Sequence, residues 1–167
     1  VIDLLRGEKS GKKIGKMSSI AVKDVEVTNS LIWFRNDLRI SDHPGINSAL
    51  SISGKVIGFY CFNSSMFKMT NLGFPKIDKF RAKFLLETIE NLKEDLKKIN
   101  VTLIIKIGDP VEELTKIISQ QKIKNIFFQK EWTQEEVDEE DQLKSKYKDK
   151  NFKSFYSQFL YDPDDID

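Results

Sequence analysis

Residues 31–42, with the sequence LIWFRNDLRISD, decide the fold. Four bulky apolar residues run without a break and then give way to alternating charges. An unbroken apolar run of this length is typical of a strand buried on both faces, as in a parallel sheet. Open parallel sheets bind ligands outside the carboxyl ends of their strands. The charged residues just beyond this strand are Arg35, Asp37, Arg39 and Asp42. Because charges near a buried strand require partners, this cluster predicts either a local ion-pair network or a docking surface for a ligand or a second domain.

The composition is typical of one soluble globular domain. The chain has 167 residues, of which 40% are hydrophobic and 32% charged, which is enough for a sizeable core. Its net charge of +1 gives no broad electrostatic reason to bind nucleic acid. One cysteine, Cys61, and one histidine, His43, argue against a disulfide framework and the usual zinc sites, so no metal is predicted. No apolar run approaches the about 20 residues that a membrane span needs, so no membrane partner is expected.

Residues 1–29 are rich in lysine and have little apolar periodicity, which predicts a mobile N-terminal arm. The chain begins with Val1, and Met17 is its first methionine, which indicates a processed, truncated or engineered chain. Acidic residues in the arm argue against an organelle transit peptide. The arm therefore leaves the cytoplasm, the nucleus and an organelle open as locations.

Strand and helix patterns alternate along the rest of the chain. Apolar runs predict strands near residues 30–35, 56–62, 101–107, 125–129 and 152–156. Helical patterns lie between them at 44–52, at 79–99, from Pro110 and from Thr133 to about 147. Such alternation predicts a single α/β domain over residues 30–157, with a doubly wound, five-stranded parallel sheet and helices on both faces. A Rossmann-like or flavodoxin-like strand order such as 3-2-1-4-5 fits this pattern.

Local signals add detail to the helices. Asp109 is predicted to cap the third helix, and Thr133 to form a capping box with Glu136. Seven of the eleven residues from Glu131 to Asp141 are acidic, which is typical of a solvated helix face. A single apolar stripe on the second helix is predicted to lie in the core; its members are Phe80, Phe84, Leu85, Ile89, Leu92, Leu96 and Ile99.

The predicted strand order places a crevice between the first and fourth strands. Asn36 and Asp37 would line one side, and Lys130, Glu131 and Trp132 the other. Trp132 offers a stacking face, and Glu131 offers a carboxylate that could accept paired N–H donors from a pterin-like ring. The alternative for Glu131 is a carboxylate placed to stabilise the helix dipole.

The connection over residues 63–78 is longer than most loops in compact domains. Its side chains Met66, Phe67, Met69 and Phe74 either cover a pocket or plug the edge of the sheet. No glycine-rich phosphate loop follows the first strand, and there is no G-x-S-x-G elbow. The sequence therefore predicts a binding domain with no catalytic residue of its own.

Several segments resemble the photolyase and cryptochrome family. The segment WFRNDLRISDHPG is similar to the opening motif of that family, with His43 in place of the more usual Asn. The segments FPKIDKFRAKFLLETIENLKEDL, KEWTQEEVDEED and FLYDPDDI resemble corresponding regions of the DASH group of cryptochromes. The similarity covers roughly residues 30–166.

The resemblance implies an N-terminal α/β domain that binds an antenna chromophore, commonly methenyltetrahydrofolate. In that family a separate, larger helical domain binds FAD, and blue light drives repair of cyclobutane pyrimidine dimers, mainly in single-stranded DNA for DASH members, or signalling. Glu131 matches the position that contacts the pterin, so the predicted cofactor-binding residues are Glu131, Lys130, Trp132, Asn36 and Phe74. The resemblance assigns the cluster of Arg35, Asp37, Arg39 and Asp42 to the shape of the domain and its junction with the rest.

Residues 158–167 are expected to begin a linker to a C-terminal helical FAD domain. DNA contacts would then belong to the parent protein, and this chain alone would not repair DNA and would hold its antenna weakly. The alternative is a non-catalytic interaction or regulatory module built on the same fold. A small flavodoxin-like carrier is disfavoured because the phosphate loop is absent.

Overall fold

The computed structural model describes residues 28–160 and 163–165. The predicted arm over residues 1–29 lies outside these ranges except for its last two residues, and the predicted linker start is described only in part.

The described residues form a five-stranded sheet in the order β3-β2-β1-β4-β5, in which every neighbouring pair is parallel. The strands are β1 Asn29–Trp33, β2 Lys55–Asn63, β3 Thr102–Gly108, β4 Ile123–Gln129 and β5 Asn151–Phe155. The helices are α1 Pro44–Ile52, α2 Lys79–Lys98, α3 Pro110–Gln120 and α4 Gln134–Lys146. The predicted fold class and strand order are confirmed, and the point where the winding reverses lies between β1 and β4.

Alternate residues of the central strand enter two separate cores. Ile32 and Phe34 pack with the buried residues of α1 and α2, whereas Leu31 and Trp33 pack with those of α3 and α4. Right-handed crossovers explain this division, because the chain winds in one direction from β1 to β3 and in the other from β3 to β5. An apolar run without alternation is therefore what this strand requires.

Gly58 in β2 allows α2 to approach the sheet closely. A Cβ atom at this position would lie 3.0 Å from a methyl carbon of Leu103, 3.1 Å from the ring of Phe34 and 3.3 Å from a methyl carbon of Leu96. Since interiors are close-packed, a side chain here would push the helix outward.

The predicted apolar stripe on α2 is only partly buried. Ile89, Leu92 and Leu96 lie in the core, but Phe80 is 77% exposed and Phe84 is 65% exposed. The twenty-residue helix is about 30 Å long, whereas the seven-residue β3 beside it spans about 23 Å. The prediction was therefore wrong for the first turns of α2, which extend beyond the carboxyl edge of the sheet.

In α1 and α3 a side chain accepts a hydrogen bond from a backbone N–H of the first turn and so caps the helix. Asp109 accepts a hydrogen bond from the Glu112 backbone N–H at 2.9 Å, which confirms the predicted cap of α3. At α1 the Nδ1 atom of His43 accepts from the Ile46 backbone N–H at 3.1 Å, so the imidazole caps the N-terminus of this helix.

The capping box predicted for α4 is wrong. The Thr133 hydroxyl donates to the Glu136 carboxylate at 2.9 Å and caps no backbone N–H. A carboxylate is a strong acceptor, so it takes the hydroxyl hydrogen.

Candidate functional site

A cavity of about 620 Å³ opens at the carboxyl ends of β1, β2 and β4. Its lining includes Asn36 after β1, Cys61 on β2, and Glu131 and Trp132 after β4. The structure thus brings together three of the five predicted cofactor-binding residues at the edge where open α/β sheets bind ligands. The volume lies within the range of small-molecule sites.

Glu131 is the central polar group of this cavity. It is only 7% exposed, and its Oε1 atom accepts hydrogen bonds from Gln129 Nε2 and Asn36 Nδ2, each at 3.0 Å. No hydrogen bond from another described residue reaches its Oε2 atom. Burial raises the pKa of the Glu131 carboxyl, and the two amide hydrogen bonds partly oppose that rise.

Trp132 forms the rim of the cavity. Its indole is 52% exposed and stacks on Tyr156 with a centroid separation of 5.7 Å and an interplanar angle of 19°. Phe159 meets the indole edge-on. The ring is therefore held in place by its neighbours while it still contributes to the cavity lining.

The other two predicted cofactor-binding residues do not line the cavity. Lys130 turns toward β5, where its Nζ atom donates to the Tyr156 hydroxyl at 2.8 Å. Phe74 lies on the connection between β2 and α2, and its side chain is largely exposed. Their predicted role in binding stays a prediction.

The first half of the same connection forms the roof of the cavity. Met66 and Phe67, on a 3-10 turn at Ser64–Phe67, line it together with Ile77. Lys76 forms an ion pair with Glu135 of α4, which fastens the connection across the opening. Of the two predicted alternatives, covering a pocket describes Met66 and Phe67, which line the cavity although Phe67 is itself 42% exposed, while Met69 and Phe74 lie outside the lining and are more exposed.

The cavity floor is apolar and carries no activated nucleophile among the described residues. Burial raises the pKa of the Cys61 thiol to about 12, and neighbouring carboxylates of Glu113, Asp109 and Glu139 add to the rise. Burial also raises the pKa of Tyr60. Both groups therefore stay protonated at neutral pH, which suits ligand binding and gives no base or nucleophile.

Arg35 connects the end of β1 to α4. Its guanidinium lies 4.5 Å from the centroid of the Trp33 ring and donates to the Glu136 carbonyl at 2.9 Å. Glu139 and Glu140 lie 3.6 and 3.9 Å from its nitrogens. Arg35 is therefore held by ion pairs to α4, and these partners are about a hundred residues away in sequence.

The remaining members of the cluster shape the turn into α1. Asp37 is buried, accepts the Arg35 backbone N–H at 2.9 Å, and has its Oδ2 atom 2.9 Å from His43 Nε2. Arg39 donates to the carbonyl of Asp42 at 3.1 Å, and Asp42 has a φ of 51°. These contacts all lie within the domain, and the junction role assigned to the four residues stays a prediction.

The acidic run on α4 is not purely a solvated face. Glu140 is buried, and Glu139, which lines the cavity, accepts a hydrogen bond from Asn63 Nδ2 at 3.0 Å. Burial raises the pKa of Glu139 to about 7, although the charge of Arg35 opposes the rise. Both glutamates stand three and four positions before the buried Leu143, and this spacing is the signal that could have identified them.

Gln129 is a second residue that the sequence-based prediction missed. It is 3% exposed, and it accepts a hydrogen bond from the Ser157 hydroxyl while it donates to Glu131. A polar residue that ends an apolar strand, two positions before the predicted pterin ligand, was the available signal.

Two features are absent from residues 28–160 and 163–165. No group of three or more His, Cys, Asp or Glu side chains there is arranged to hold a metal ion. None of the helices in these ranges combines the length and the hydrophobicity required to cross a bilayer.

A parallel sheet with a cavity at the point where its winding reverses defines a doubly wound α/β domain. A family model described as DNA photolyase matches residues 30–167, and the chain belongs to the DNA photolyase family.

Cryptochromes of the DASH type are among its relatives. The Cryptochrome DASH of Gloeobacter violaceus is 35% identical over 138 residues, which are 81% of this chain and 28% of that protein. The crystal structure of a Synechocystis cryptochrome matches with a TM-score of 0.78 at 33% identity and covers 83% of this chain and 29% of that one. The photolyase of Sulfolobus tokodaii, at 20% identity and a TM-score of 0.71, covers 84% of this chain and 32% of its own and shows the fold alone. The chain thus spans less than a third of the length of these proteins.

Proposed function

We propose that this chain is the N-terminal antenna-binding domain of a DASH-type cryptochrome or photolyase, and that its cavity binds methenyltetrahydrofolate. The observation that carries the proposal is the Glu131 carboxylate, which lies almost fully buried in the cavity with one oxygen engaged by no described donor. Among the described residues the side-chain atoms that are buried without a hydrogen-bond partner do not include Oε2, so this oxygen is open to the cavity and can accept an N–H from a ligand.

The rest of the site fits a planar heterocycle. The cavity has room for a fused ring system, and Trp132 supplies an aromatic face at the rim. The lining holds four carboxyl groups, of Glu131, Glu135, Glu136 and Glu139, and three cations, of Arg35, Lys76 and Arg81, so it offers a phosphate no net electrostatic attraction. A bound methenyltetrahydrofolate would supply near-ultraviolet absorption, and the domain's own residues would orient it and keep water from its ring.

The proposal for the whole protein goes further than this domain. The resemblance to DASH members implies FAD in a helical domain, and blue-light repair of cyclobutane pyrimidine dimers in single-stranded DNA or blue-light sensing. This domain spans less than a third of its relatives, so FAD and DNA contacts are assigned to the remaining part of such a protein. The domain by itself is then a chromophore-binding module without repair activity.

Titration of the purified chain with methenyltetrahydrofolate tests the proposal. Near-ultraviolet absorption and fluorescence would report saturable binding. Glu131→Gln should weaken the binding about tenfold or more, because a hydrogen bond to a charged acceptor is lost. Glu94→Gln makes the same chemical change on the exposed part of α2 and should leave the affinity unchanged.

Riboflavin phosphate provides the comparison ligand, since the Sulfolobus tokodaii photolyase is described with two FAD molecules and the implication of a novel light-harvesting cofactor. Weaker binding of this flavin than of the folate is the outcome that supports the folate assignment. Equal folate affinity for the native chain and Glu131→Gln would reject Glu131 as the ligand contact, and tighter flavin binding would reject the folate assignment.

A further inference from the structure

We propose that Gln129 is a positioning residue that, together with Asn36, fixes the orientation of the Glu131 carboxylate so that only Oε2 is available to a ligand. Binding would then engage one oxygen of Glu131, in contrast to the paired-donor geometry that a free carboxylate could accept. The proposal rests on the proposed function for its ligand, but its geometry concerns the protein alone.

The position of Gln129 makes it a rigid support. It is the last residue of β4, which lies between β1 and β5, and it is nearly fully buried. The Gln129 amide nitrogen donates to Glu131, and the Ser157 hydroxyl, just beyond β5, donates to the Gln129 side-chain oxygen. An ionised carboxylate only accepts hydrogen bonds, so it faces the NH2 end of the amide, and the Ser157 contact holds the other end in place.

Asn36 completes the arrangement from the opposite side of the crevice. Its Nδ2 atom lies 3.0 Å from Glu131 Oε1 and 3.3 Å from Glu136 Oε1, so one amide group bridges two carboxylates. Glu136 is held in turn by the Thr133 hydroxyl at 2.9 Å. The segments after β1, β4 and β5 and the first turn of α4 therefore all contribute to the orientation of one carboxylate.

The hydrogen-bonding capacity of Oε1 explains why a ligand would bind Oε2 of Glu131. This oxygen already accepts two N–H groups, which use its lone pairs, whereas Oε2 accepts none from the described residues. A ligand N–H therefore finds its acceptor at Oε2, in a fixed direction. The charged groups that act on the carboxylate are Glu136 of α4 and Arg35 after β1, and their effects are opposite in sign.

The test removes the donors one at a time and follows the Glu131 carboxyl carbon by NMR in the ligand-free chain. Gln129→Met keeps the approximate volume and removes the amide, and Asn36→Ala removes the second donor. Each hydrogen bond stabilises the charged carboxylate, so each variant should raise the pKa of Glu131. Glu131→Gln identifies the resonance, and Gln120→Met, at the exposed end of α3, should leave that pKa unchanged.

A second measurement tests whether the orientation of the Glu131 carboxylate affects ligand binding. The affinity for methenyltetrahydrofolate should fall about tenfold in Gln129→Met, and its loss on acidification should begin at a higher pH than in the native chain. Ser157→Ala, which leaves β4 intact, should shift the pKa and the affinity in the same directions and covers the case in which Gln129→Met does not fold.

The two measurements separate two kinds of failure. An unchanged Glu131 pKa in Gln129→Met, or in Ser157→Ala where the former does not fold, overturns the positioning role whatever the ligand does. A raised pKa with unchanged folate affinity supports the positioning role and overturns the proposed use of Glu131 as the ligand contact.

Discussion

At the scale of single residues, Glu139 shows how burial can outweigh a nearby opposite charge. Its carboxyl lies 3.6 Å from the Arg35 guanidinium and accepts a hydrogen bond from Asn63, yet its pKa rises to about 7. Loss of water is the largest cause, and the carboxylates of Asp109 and Glu136 add to it. Near neutral pH the group therefore exchanges a proton at the cavity wall.

This pKa predicts a pH dependence of stability. The folded state binds the Glu139 proton more tightly than a carboxyl with the ordinary pKa of 4.5, so its stabilising contribution is complete below pH 4.5 and is lost as the pH rises through about 7. Relative to Glu139→Gln, the native chain should lose up to about 3 kcal/mol of unfolding free energy across that window. Urea denaturation at several pH values measures the unfolding free energy of each protein. The same dependence of that free energy on pH in both proteins would contradict the prediction.

Single residues also mark the limit of sequence-based prediction. The crevice and its members Asn36, Glu131 and Trp132 followed from the strand order, since parallel strands end at a common edge. Asp37 and Lys130 were predicted to line the crevice as well, but Asp37 faces His43 and Lys130 faces Tyr156. Gln129 and Glu139 were missed because a polar residue in a strand, or one carboxylate among many, shows its partners only after distant segments meet.

At the scale of elements, α2 divides into a core half and a solvent half. Its apolar period is uniform along the sequence, and period alone does not reveal where the supporting sheet ends. The length of β3 sets that point, which is why Leu96 is fully buried while Phe84 is largely exposed. The bounds of α1, Pro44–Ile52, were predicted correctly because Pro44 at the start and the extended segment after it are local signals.

Because only one half of α2 is buried, side-chain substitutions in its two halves should lower the unfolding free energy by different amounts. Leu96→Ala should lower the unfolding free energy by about 3 kcal/mol, because it leaves a cavity between α2 and the sheet. Phe84→Ala should change it by less than about 0.5 kcal/mol, as exposed substitutions usually do. Urea denaturation of both variants compares the two halves directly, and similar losses would show that the first turns of α2 are covered in solution.

At the scale of the whole molecule, β1 is the element on which both cores depend. It hydrogen-bonds to β2 on one side and β4 on the other, and its side chains enter the two cores alternately. β3 and β5 have one neighbouring strand each. The free energy needed to open a strand locally should therefore be highest at β1, in the centre of the sheet, and lowest at the two edge strands.

Native-state hydrogen exchange measures this distribution. Backbone amides of β1 should exchange only through global unfolding, whereas those of β5 should exchange at least about tenfold faster through local opening. The central strand opens only if both neighbours and both helical layers separate. Faster exchange in β1 than in β5 would contradict the two-core description.

The two tryptophans give the molecule an optical property that follows from their positions. Trp33 is 3% exposed and lies under a guanidinium, whereas Trp132 is 52% exposed at the rim, and both line the cavity. An indole in an apolar setting emits at shorter wavelength than one in water, so the two emitters differ in colour and in access to a soluble quencher. A chromophore bound in the cavity, as proposed, would lie against both indoles and would reduce both emissions together. Tryptophan fluorescence would then report whether the cavity is filled.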